Sequence, residues 1–318
     1  MNRLTIHSGS FWRLLRIAGL LAGLGFMAWL LVHLLSNPAL MKQQFSAKGF
    51  GEAILIGLIA NTAIAVTFSD LVAKSAPHIS FNRRITAYYY SQIAKYIPGR
   101  IAALMVQRSI LSGPYAMSAT IVSNLELMAV SGWLCASAAI VLLVWPNGRI
   151  DAIGIALVAA IIGVLLLLMD WRHLIRRILS RIPKYRDMSE LPSPTRQIPS
   201  SRALVLSLAM LALPAASNFF LLRNGVGVDH GAALQLTALL LLSWVGGMLA
   251  FVFPAGIGIR ELLFVTIGGA LWRQAPAVEL MAGIALASRM VQVLIDIISV
   301  LIFFAYRRWF GFADASIP

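Results

Sequence analysis

The sequence predicts an all-α polytopic membrane protein, because its apolar residues are grouped in runs long enough to cross a bilayer. Hydrophobic residues make up 59% of the 318 residues and charged residues only 12%, about half the charged fraction of a soluble domain. Runs of about 20 apolar residues match a hydrocarbon core that is about 30 Å thick. We therefore interpret residues 1–318 as a single integral membrane domain.

Eight apolar runs are expected to form transmembrane helices. They are 17–35, 52–73, 117–145, 152–169, 203–222, 232–253, 261–272 and 277–305. The seventh run is short, so it is expected either to span or to form a half-helix. Two halves, approximately 1–170 and 203–318, are joined by a basic loop, 170–202, whose four prolines predict an irregular tether.

The charge distribution predicts the topology. Lys and Arg number 26 against 12 Asp and Glu, which gives a net charge of +14. In a soluble protein such an excess would suggest nucleic acid, but here the basic residues lie in segments beside apolar runs, as the positive-inside rule describes. We expect a cytoplasmic (inner) membrane location with both termini cytoplasmic, and no nucleic-acid partner. If 261–272 does not cross, the last span inverts.

One stretch interrupts the apolar pattern in the first half. Tyr88–Arg100, YYYSQIAKYIPGR, has three tyrosines, polar residues and a Pro-Gly break, and polar-tipped aromatic rings favour a membrane–water boundary. We predict a helix–break–helix hairpin over 85–111 that dips into the membrane from the basic side. Broken backbone at that depth is tolerated only where protein buries it or a wet cavity faces it, so this segment is expected to form the wall of a site. The alternative is an interfacial amphipathic helix that seals the bundle.

A second interruption lies in the other half, at Phe253–Glu261, FPAGIGIRE. Its Pro and Gly residues free the backbone, and Arg260 and Glu261 open the next helix. Backbone N–H groups at a helix N-terminus, with an Arg beside them, can hold a phosphate. The alternative is a cytoplasmic turn whose Arg only follows the inside rule. Two such interruptions in corresponding places suggest a two-half internal repeat with a substrate site between the halves, although chance can also produce the pattern.

Three charged residues lie inside predicted spans. Glu126 is in the third span, and Arg289 and Asp296 share one face of the last span. A charge at the bilayer centre costs roughly 2.5–3.5 kcal/mol on insertion scales, so these side chains should face protein or water. We expect Glu126 or Asp296 to pair with Arg289, either along a polar path for a lipid headgroup or as a buried structural ion pair.

Motifs for chemistry are missing from the sequence. It contains no P-loop, no G-x-S-x-G elbow and no H-E-x-x-H, and no His or Cys residues are spaced to share a metal. We therefore assign no catalytic residue, no metal and no cofactor. Transport, binding or scaffolding is favoured over catalysis, and the enzyme question stays open.

The two interrupted stretches, SQIAKYIPGRI and FPAGIGIRELLF, resemble the membrane domain of the lysylphosphatidylglycerol synthase family, which includes the lipid-flipping half of the multiple peptide resistance factor. The resemblance covers about residues 10–310. It implies a flippase-like domain, similar to one that moves aminoacylated phosphatidylglycerol. The substrate-binding residues that it implies are Gln92, Lys95, Tyr96, Pro98, Gly99, Arg100, Pro254, Gly256, Gly258, Arg260 and Glu261.

The expected function is that of a flippase or translocase, or an accessory to one, for a phospholipid or a lipid-linked glycan intermediate. The expected partners are an anionic phospholipid or polyprenyl-linked sugar, and a glycosyltransferase or another cell-envelope protein. Full synthases of the family carry a soluble aminoacyl transferase domain, which this sequence lacks. The alternatives are a membrane subunit of an aminoacyl or glycosyl transfer system, or a scaffold for polysaccharide synthesis.

Overall fold

The computed structural model describes residues 46–96, 101–113, 116–144, 201–249, 258–271 and 278–309, with single residues at 32, 175 and 177. Within these residues the secondary structure is helical and no strand occurs. The predicted spans at 17–35 and 152–169, and the joining loop 170–202, lie almost wholly outside the described residues.

The described residues form eight α-helices. They are α1 Ala47–Ser75, α2 Phe81–Ala94, α3 Ile101–Leu111, α4 Ala116–Val144, α5 Ser201–Phe220, α6 His230–Leu249, α7 Ile259–Leu271 and α8 Val278–Trp309. A π-helical turn, Leu221–Val226, continues directly from α5.

Five of these helical stretches are long and apolar enough to cross a membrane. They are Ala47–Ser75, Ala116–Leu143, Ser201–Val226, His230–Leu249 and Leu280–Trp309. They match the second, third, fifth, sixth and last predicted spans and confirm the all-α, multi-pass class, while the count of about eight is not confirmed. The run predicted at 261–272 becomes α7, whose 13 residues extend about 20 Å at 1.5 Å per residue, less than the thickness of a bilayer core.

The predicted helix–break–helix hairpin is present as α2 and α3, which pack against each other. Arg83 near the start of α2 donates a hydrogen bond from Nε to the main-chain oxygen of Ile110 near the end of α3, at 2.5 Å. Gln107 Nε2 donates to Ser91 Oγ at 2.9 Å, nearer the connection. These pairings make the two helices antiparallel. The Pro98–Gly99 break itself lies outside the described residues.

Helix α1 packs against α2, α4, α5 and α8, and small residues allow the close approaches. A Cβ atom on Gly57 would lie 2.1 Å from Ile295 Cδ1 of α8. Ser217 Oγ of α5 donates to the main-chain oxygen of Ala53 at 2.8 Å. At this central position, α1 holds α2 and α8 beside each other.

Two of the three successive tyrosines belong to the protein core. Tyr88 and Tyr89 are buried, rather than exposed at a surface as boundary anchors would be. The Tyr89 ring stacks on Phe303 of α8, with ring centres 4.7 Å apart, and Tyr88 packs on Phe68 of α1. The aromatic run therefore fastens the hairpin to the bundle.

Candidate functional site

The two interrupted segments meet at one cavity of about 460 Å³, a size typical of sites for small molecules. Lys95 and Tyr96, at the end of α2, line it together with Arg260 from the first turn of α7. Arg289 and Asp296 of α8 complete the charged part of the wall. The residues that flank the two breaks therefore share a hollow, as the sequence predicts.

The centre of the charged wall is the carboxylate of Asp296, which is only 1% exposed. Lys95 Nζ lies 2.8 Å from Asp296 Oδ2 and also donates to Gln92 Oε1 at 2.8 Å. The Tyr96 hydroxyl donates to the same Oδ2 atom at 2.5 Å. A buried carboxylate is tolerated when a cation and hydrogen-bond donors surround it, and the end of α2 supplies both.

A hydrogen-bond network extends from Asp296 to α1 and α2. Ser299 Oγ donates to the main-chain oxygen of Asp296 at 3.0 Å and accepts from Asn61 Nδ2 at 2.8 Å. The Tyr88 hydroxyl donates to Asn61 Oδ1 at 2.8 Å. Satisfied buried networks of this kind fix the relative positions of helices, so the hairpin is held in register with α8.

The first turn of α7 is built on Gly258 and Glu261. Gly258 has a φ of +84°, which L-residues other than glycine rarely adopt. Its N–H donates to Glu261 Oε2 at 2.8 Å, and its main-chain oxygen accepts from the N–H of Leu262 at 2.9 Å. The contact from Glu261 is one half of a capping box, because Gly258 has no side chain to supply the other half. It fixes the helix start and thereby the direction of Arg260.

The guanidinium of Arg289 is balanced by Glu261. Arg289 Nε lies 3.9 Å from Glu261 Oε1, and both residues are buried. The Arg289 Cζ atom also lies 5.7 Å from the centre of the Tyr96 ring, whose other cationic neighbour is Lys95 Nζ at 5.5 Å. Cation–π contacts of this kind gather two of the cavity's cations around one ring.

Arg260 differs from the other two cations. It is 8% exposed and its Nη2 donates to Ser288 Oγ at 2.9 Å. Among the described residues, the ion pairs involve Lys95 and Arg289 but not Arg260. Burying a cation is costly unless an anion pairs with it, so Arg260 is the group in the cavity most suited to receive an anion.

Sequence reasoning missed an uncharged polar row on another wall of the cavity. Asn124 Nδ2 donates to Gln107 Oε1 at 2.6 Å, and Gln107 in turn donates to Ser91 Oγ. All three residues line the cavity. The sequence feature that could have revealed this row is the pair of side-chain amides, Gln107 on α3 and Asn124 on α4, within otherwise apolar stretches. Ser288, the partner of Arg260, was also missed, although it directly precedes Arg289.

Much of the remaining wall is apolar. Ile64, Met128, Met210 and Leu241 contribute to it from α1, α4, α5 and α6. The cavity therefore has a charged part near α2, α7 and α8 and an apolar part across the bundle. Such a division suits an amphiphile.

Apart from Glu126, the predicted site residues fall into three groups. The cavity brings together Gln92, Lys95, Tyr96, Arg260, Arg289 and Asp296. Gly258 and Glu261 support this set from the first turn of α7. Pro98, Gly99, Arg100, Pro254 and Gly256 lie outside the described residues.

The pairing expected for Arg289 needs correction. Among the described residues, the carboxylate that pairs with Arg289 is that of Glu261, and not that of Glu126 or Asp296. Asp296 is occupied by Lys95, because the hairpin brings a cation nearer than Arg289. The carboxylate of Glu126 lies 3.6 Å from Lys74 Nζ of α1, and Glu126 is not part of the cavity lining.

Groups of three or more His, Cys, Asp or Glu side chains that could hold a metal do not occur among the described residues. Comparisons of the chain with protein-family models, with curated proteins and with solved structures gave no match. The functional interpretation therefore rests on the residues around the cavity.

Proposed function

We propose that the protein is a translocase, or an accessory to one, for an amphiphile with a phosphate-containing headgroup. A phospholipid and a lipid-linked glycan intermediate both meet this description. The single observation that supports the proposal most strongly is the convergence of Lys95, Arg260 and Arg289 on one cavity, although they come from three separate helices.

Arg260 is the residue proposed to meet the phosphate. A guanidinium forms short, charge-assisted hydrogen bonds with phosphate oxygens and can do so with two donors at once. Ser288 orients the side chain through Nη2. Because no described carboxylate pairs with Arg260, a bound phosphate would satisfy a charge that is otherwise expensive to bury.

Lys95 is the second proposed phosphate ligand. Its side chain is 30% exposed, against 2% for that of Asp296, so the ammonium reaches both the carboxylate and the cavity. The apolar wall would accommodate the part of the ligand next to its headgroup. A headgroup that moves through a helix bundle needs a charged surface for its phosphate and an apolar surface for the adjoining chains. The cavity offers both.

The location and relationships of the protein are part of the same proposal. The distribution of Lys and Arg supports a cytoplasmic membrane with both termini inside. The two motifs support membership of the lysylphosphatidylglycerol synthase membrane-domain family. A glycosyltransferase or another envelope-synthesis protein is the proposed partner if the cargo is a lipid-linked glycan.

The proposal is tested with purified protein in liposomes that contain fluorescent phosphatidylglycerol or a fluorescent polyprenyl phosphate. Translocation is followed by quenching of the outer leaflet. Arg260→Ala should lower the rate about ten- to hundredfold, the range for losing a hydrogen bond to a charged group, and Arg100→Ala should also lower it. Arg308→Ala, an exposed position at the end of α8, is the matched control and should leave it unchanged. Wild-type rates in both Arg260→Ala and Arg100→Ala would refute the site.

A further inference from the structure

We propose that the cavity recognises a headgroup with neutral hydroxyl groups beside its phosphate, and that Asn124 of α4 accepts a hydrogen bond from one of these hydroxyls. This inference rests on the proposed function and narrows its substrate class to polyol and sugar headgroups. The geometry that supports it is the amide row, formed by Ser91, Gln107 and Asn124, because the surrounding atoms fix the direction of its hydrogen bonds.

The amide row begins at Ser91 of α2, whose hydroxyl has a single proton to donate. Ser91 Oγ donates this proton to the main-chain oxygen of Tyr88 at 2.6 Å, so the same oxygen can only accept from Gln107. Gln107 therefore presents its amide nitrogen, Nε2, to Ser91 Oγ at 2.9 Å. The amide oxygen of Gln107, Oε1, must then point to the other side.

Gln107 Oε1 fixes the amide of Asn124 in the same way. An amide oxygen needs a donor, and Asn124 Nδ2 supplies one at 2.6 Å. The main-chain oxygen of Thr120 accepts from the same nitrogen at 2.8 Å. Since an amide nitrogen has two N–H groups, both are engaged, and the remaining polar atom of Asn124 is Oδ1. The row therefore ends in an acceptor.

The Asn124 end of the row belongs to the cavity wall. Asn124 lies on the face of α4 that lines the cavity together with Ile121, Leu125 and Met128, which have the spacing of one helix face. Within the part of the chain that the structure describes, no group donates to Asn124 Oδ1. A ligand that meets this atom has to supply a donor, which excludes an ionised phosphate or carboxylate oxygen at this position.

The amide row lies close to the charged part of the cavity. The main-chain N–H of Lys95 donates to the main-chain oxygen of Ser91 at 3.0 Å, so these residues are one helical turn apart, about 6 Å along the axis of α2. Gln92, between them, accepts from Lys95 Nζ through Oε1. A hydroxyl that is a few bonds away from a phosphate matches a separation of this size.

A neutral donor suits the row better than an ammonium does. The acceptor is an uncharged amide, and the row contains no carboxylate that could compensate a positive charge on the ligand. The carboxylate of Asp296, which lines the same cavity, is already paired with Lys95. A hydroxyl satisfies Asn124 Oδ1 without bringing a further charge into the bundle.

The hydrogen bonds along the row hold the acceptor in place before a ligand arrives. Ser91 and Gln107 are both buried and act as positioning residues for Asn124. A polar group that is fixed in advance binds its ligand with little loss of freedom. It also discriminates against a ligand that lacks the donor, because the acceptor then loses water without gaining a partner.

The test is calorimetric titration of the full chain in detergent with two matched pairs of lipids. Dioctanoyl phosphatidylglycerol is compared with dioctanoyl phosphatidylpropanol, which has the same phosphodiester charge but no hydroxyl on its headgroup. Farnesyl phosphoglucose is compared with farnesyl propyl phosphate. The wild type should bind the hydroxylated member about tenfold more tightly in at least one pair, the effect of one hydrogen bond. The pair with the larger ratio identifies a glycerol or a sugar headgroup.

Two variants separate recognition from a structural role. Asn124→Leu keeps a side chain of similar size without the acceptor, so the two members of a pair should bind equally. Gln107→Met removes the group that orients Asn124 and should reduce the ratio even if Asn124→Leu does not fold. Asn224→Leu makes the same change at an exposed asparagine outside the cavity and should keep the wild-type ratio. Altered helix packing alone would weaken both members of a pair alike.

Failures of the two proposals are distinguishable. Equal affinities in both pairs for the wild type overturn the inference and leave the proposed function standing. Loss of the preference in Asn218→Leu, which changes another asparagine of the cavity, but not in Asn124→Leu also overturns it. So does binding of dioctanoyl phosphatidylethanolamine, whose donor is an ammonium, as tightly as dioctanoyl phosphatidylglycerol. If none of these lipids binds, the proposed function falls and the inference falls with it.

Discussion

Lys95 Nζ and Asp296 Oδ2 lie 2.8 Å apart and join the two predicted halves of the chain across the cavity. The pair connects the end of α2, just before the first break, to the middle of α8. Its two members are unequal, because Asp296 is fully enclosed and Lys95 is not. That inequality determines what each substitution should do.

We expect Lys95→Met to destabilise the protein more than Asp296→Asn does. Removing Lys95 leaves a buried carboxylate without its cation, a loss of about 3–5 kcal/mol for a buried pair. Removing the charge of Asp296 leaves an ammonium that turns into the cavity and keeps Gln92 as an acceptor. Unfolding of both variants in detergent, followed by circular dichroism, gives the comparison. A greater loss of stability in Asp296→Asn than in Lys95→Met would contradict the unequal roles of the two side chains.

Arg260 and Arg289 should respond in opposite ways to replacement by Met. Both are buried, but only Arg289 has a described carboxylate partner, Glu261. Arg260→Met should therefore stabilise the empty protein by about 1–4 kcal/mol, the range seen when buried charges give way to apolar groups, while weakening lipid binding about ten- to hundredfold. Arg289→Met should lower stability, because it leaves Glu261 without its cation.

Thermal unfolding with and without dioctanoyl phosphatidylglycerol measures both effects. The lipid should raise the melting temperature of the wild type more than that of Arg260→Met. A lower melting temperature in empty Arg260→Met would show that the arginine serves structure rather than a ligand. Trade-offs of this kind between stability and activity are common at binding sites.

The sequence was sufficient to predict that residues beside the two interruptions would line one cavity. The length of an apolar run indicates a membrane span, because a bilayer has a fixed thickness. Five long apolar helices of the structure agree with the spans predicted in this way. Pro and Gly beside polar residues mark places where backbone has to face protein or water. Lys95 and Arg260 could be chosen for that reason, whereas Tyr96 was implied only by the family resemblance.

Ion-pair partners could not be predicted, because helix packing decides them. That Arg289 and Asp296 share a helix face does not indicate which helix lies opposite. The packing of α2 against α8 brings Lys95 to Asp296, and the turn at Gly258 brings Glu261 to Arg289. Gln107 and Asn124 were missed because a polar residue in an apolar helix has the same pattern whether it faces a cavity or a neighbouring helix.

Gly49 and Gly51 offer a matched pair for the packing of α1. A Cβ atom on Gly49 would lie 2.2 Å from the main-chain carbon of Asn224, whereas one on Gly51 meets nothing within 4 Å. Gly49→Ala should separate α1 from the π-helical turn and lose the hydrogen bond from Ser46 N–H to the Gly225 oxygen. We expect a loss of about 1–3 kcal/mol, while Gly51→Ala should gain about 1 kcal/mol from helix propensity. Denaturant titrations in detergent check both values, and equal effects would place the contact in doubt.

Gly258→Ala should impair both the start of α7 and the binding of lipid. The φ of +84° at Gly258 is unfavourable for alanine by about 1–2 kcal/mol. Relief of that strain would turn the N–H away from Glu261 Oε2 and redirect Arg260, which follows two residues later.

Gly269→Ala is the control on the same helix, since a Cβ there meets nothing within 4 Å, and it should be neutral or slightly stabilising. Calorimetric titration with dioctanoyl phosphatidylglycerol should show weaker binding for Gly258→Ala alone. Wild-type affinity in a folded Gly258→Ala protein would mean that this turn does not position Arg260.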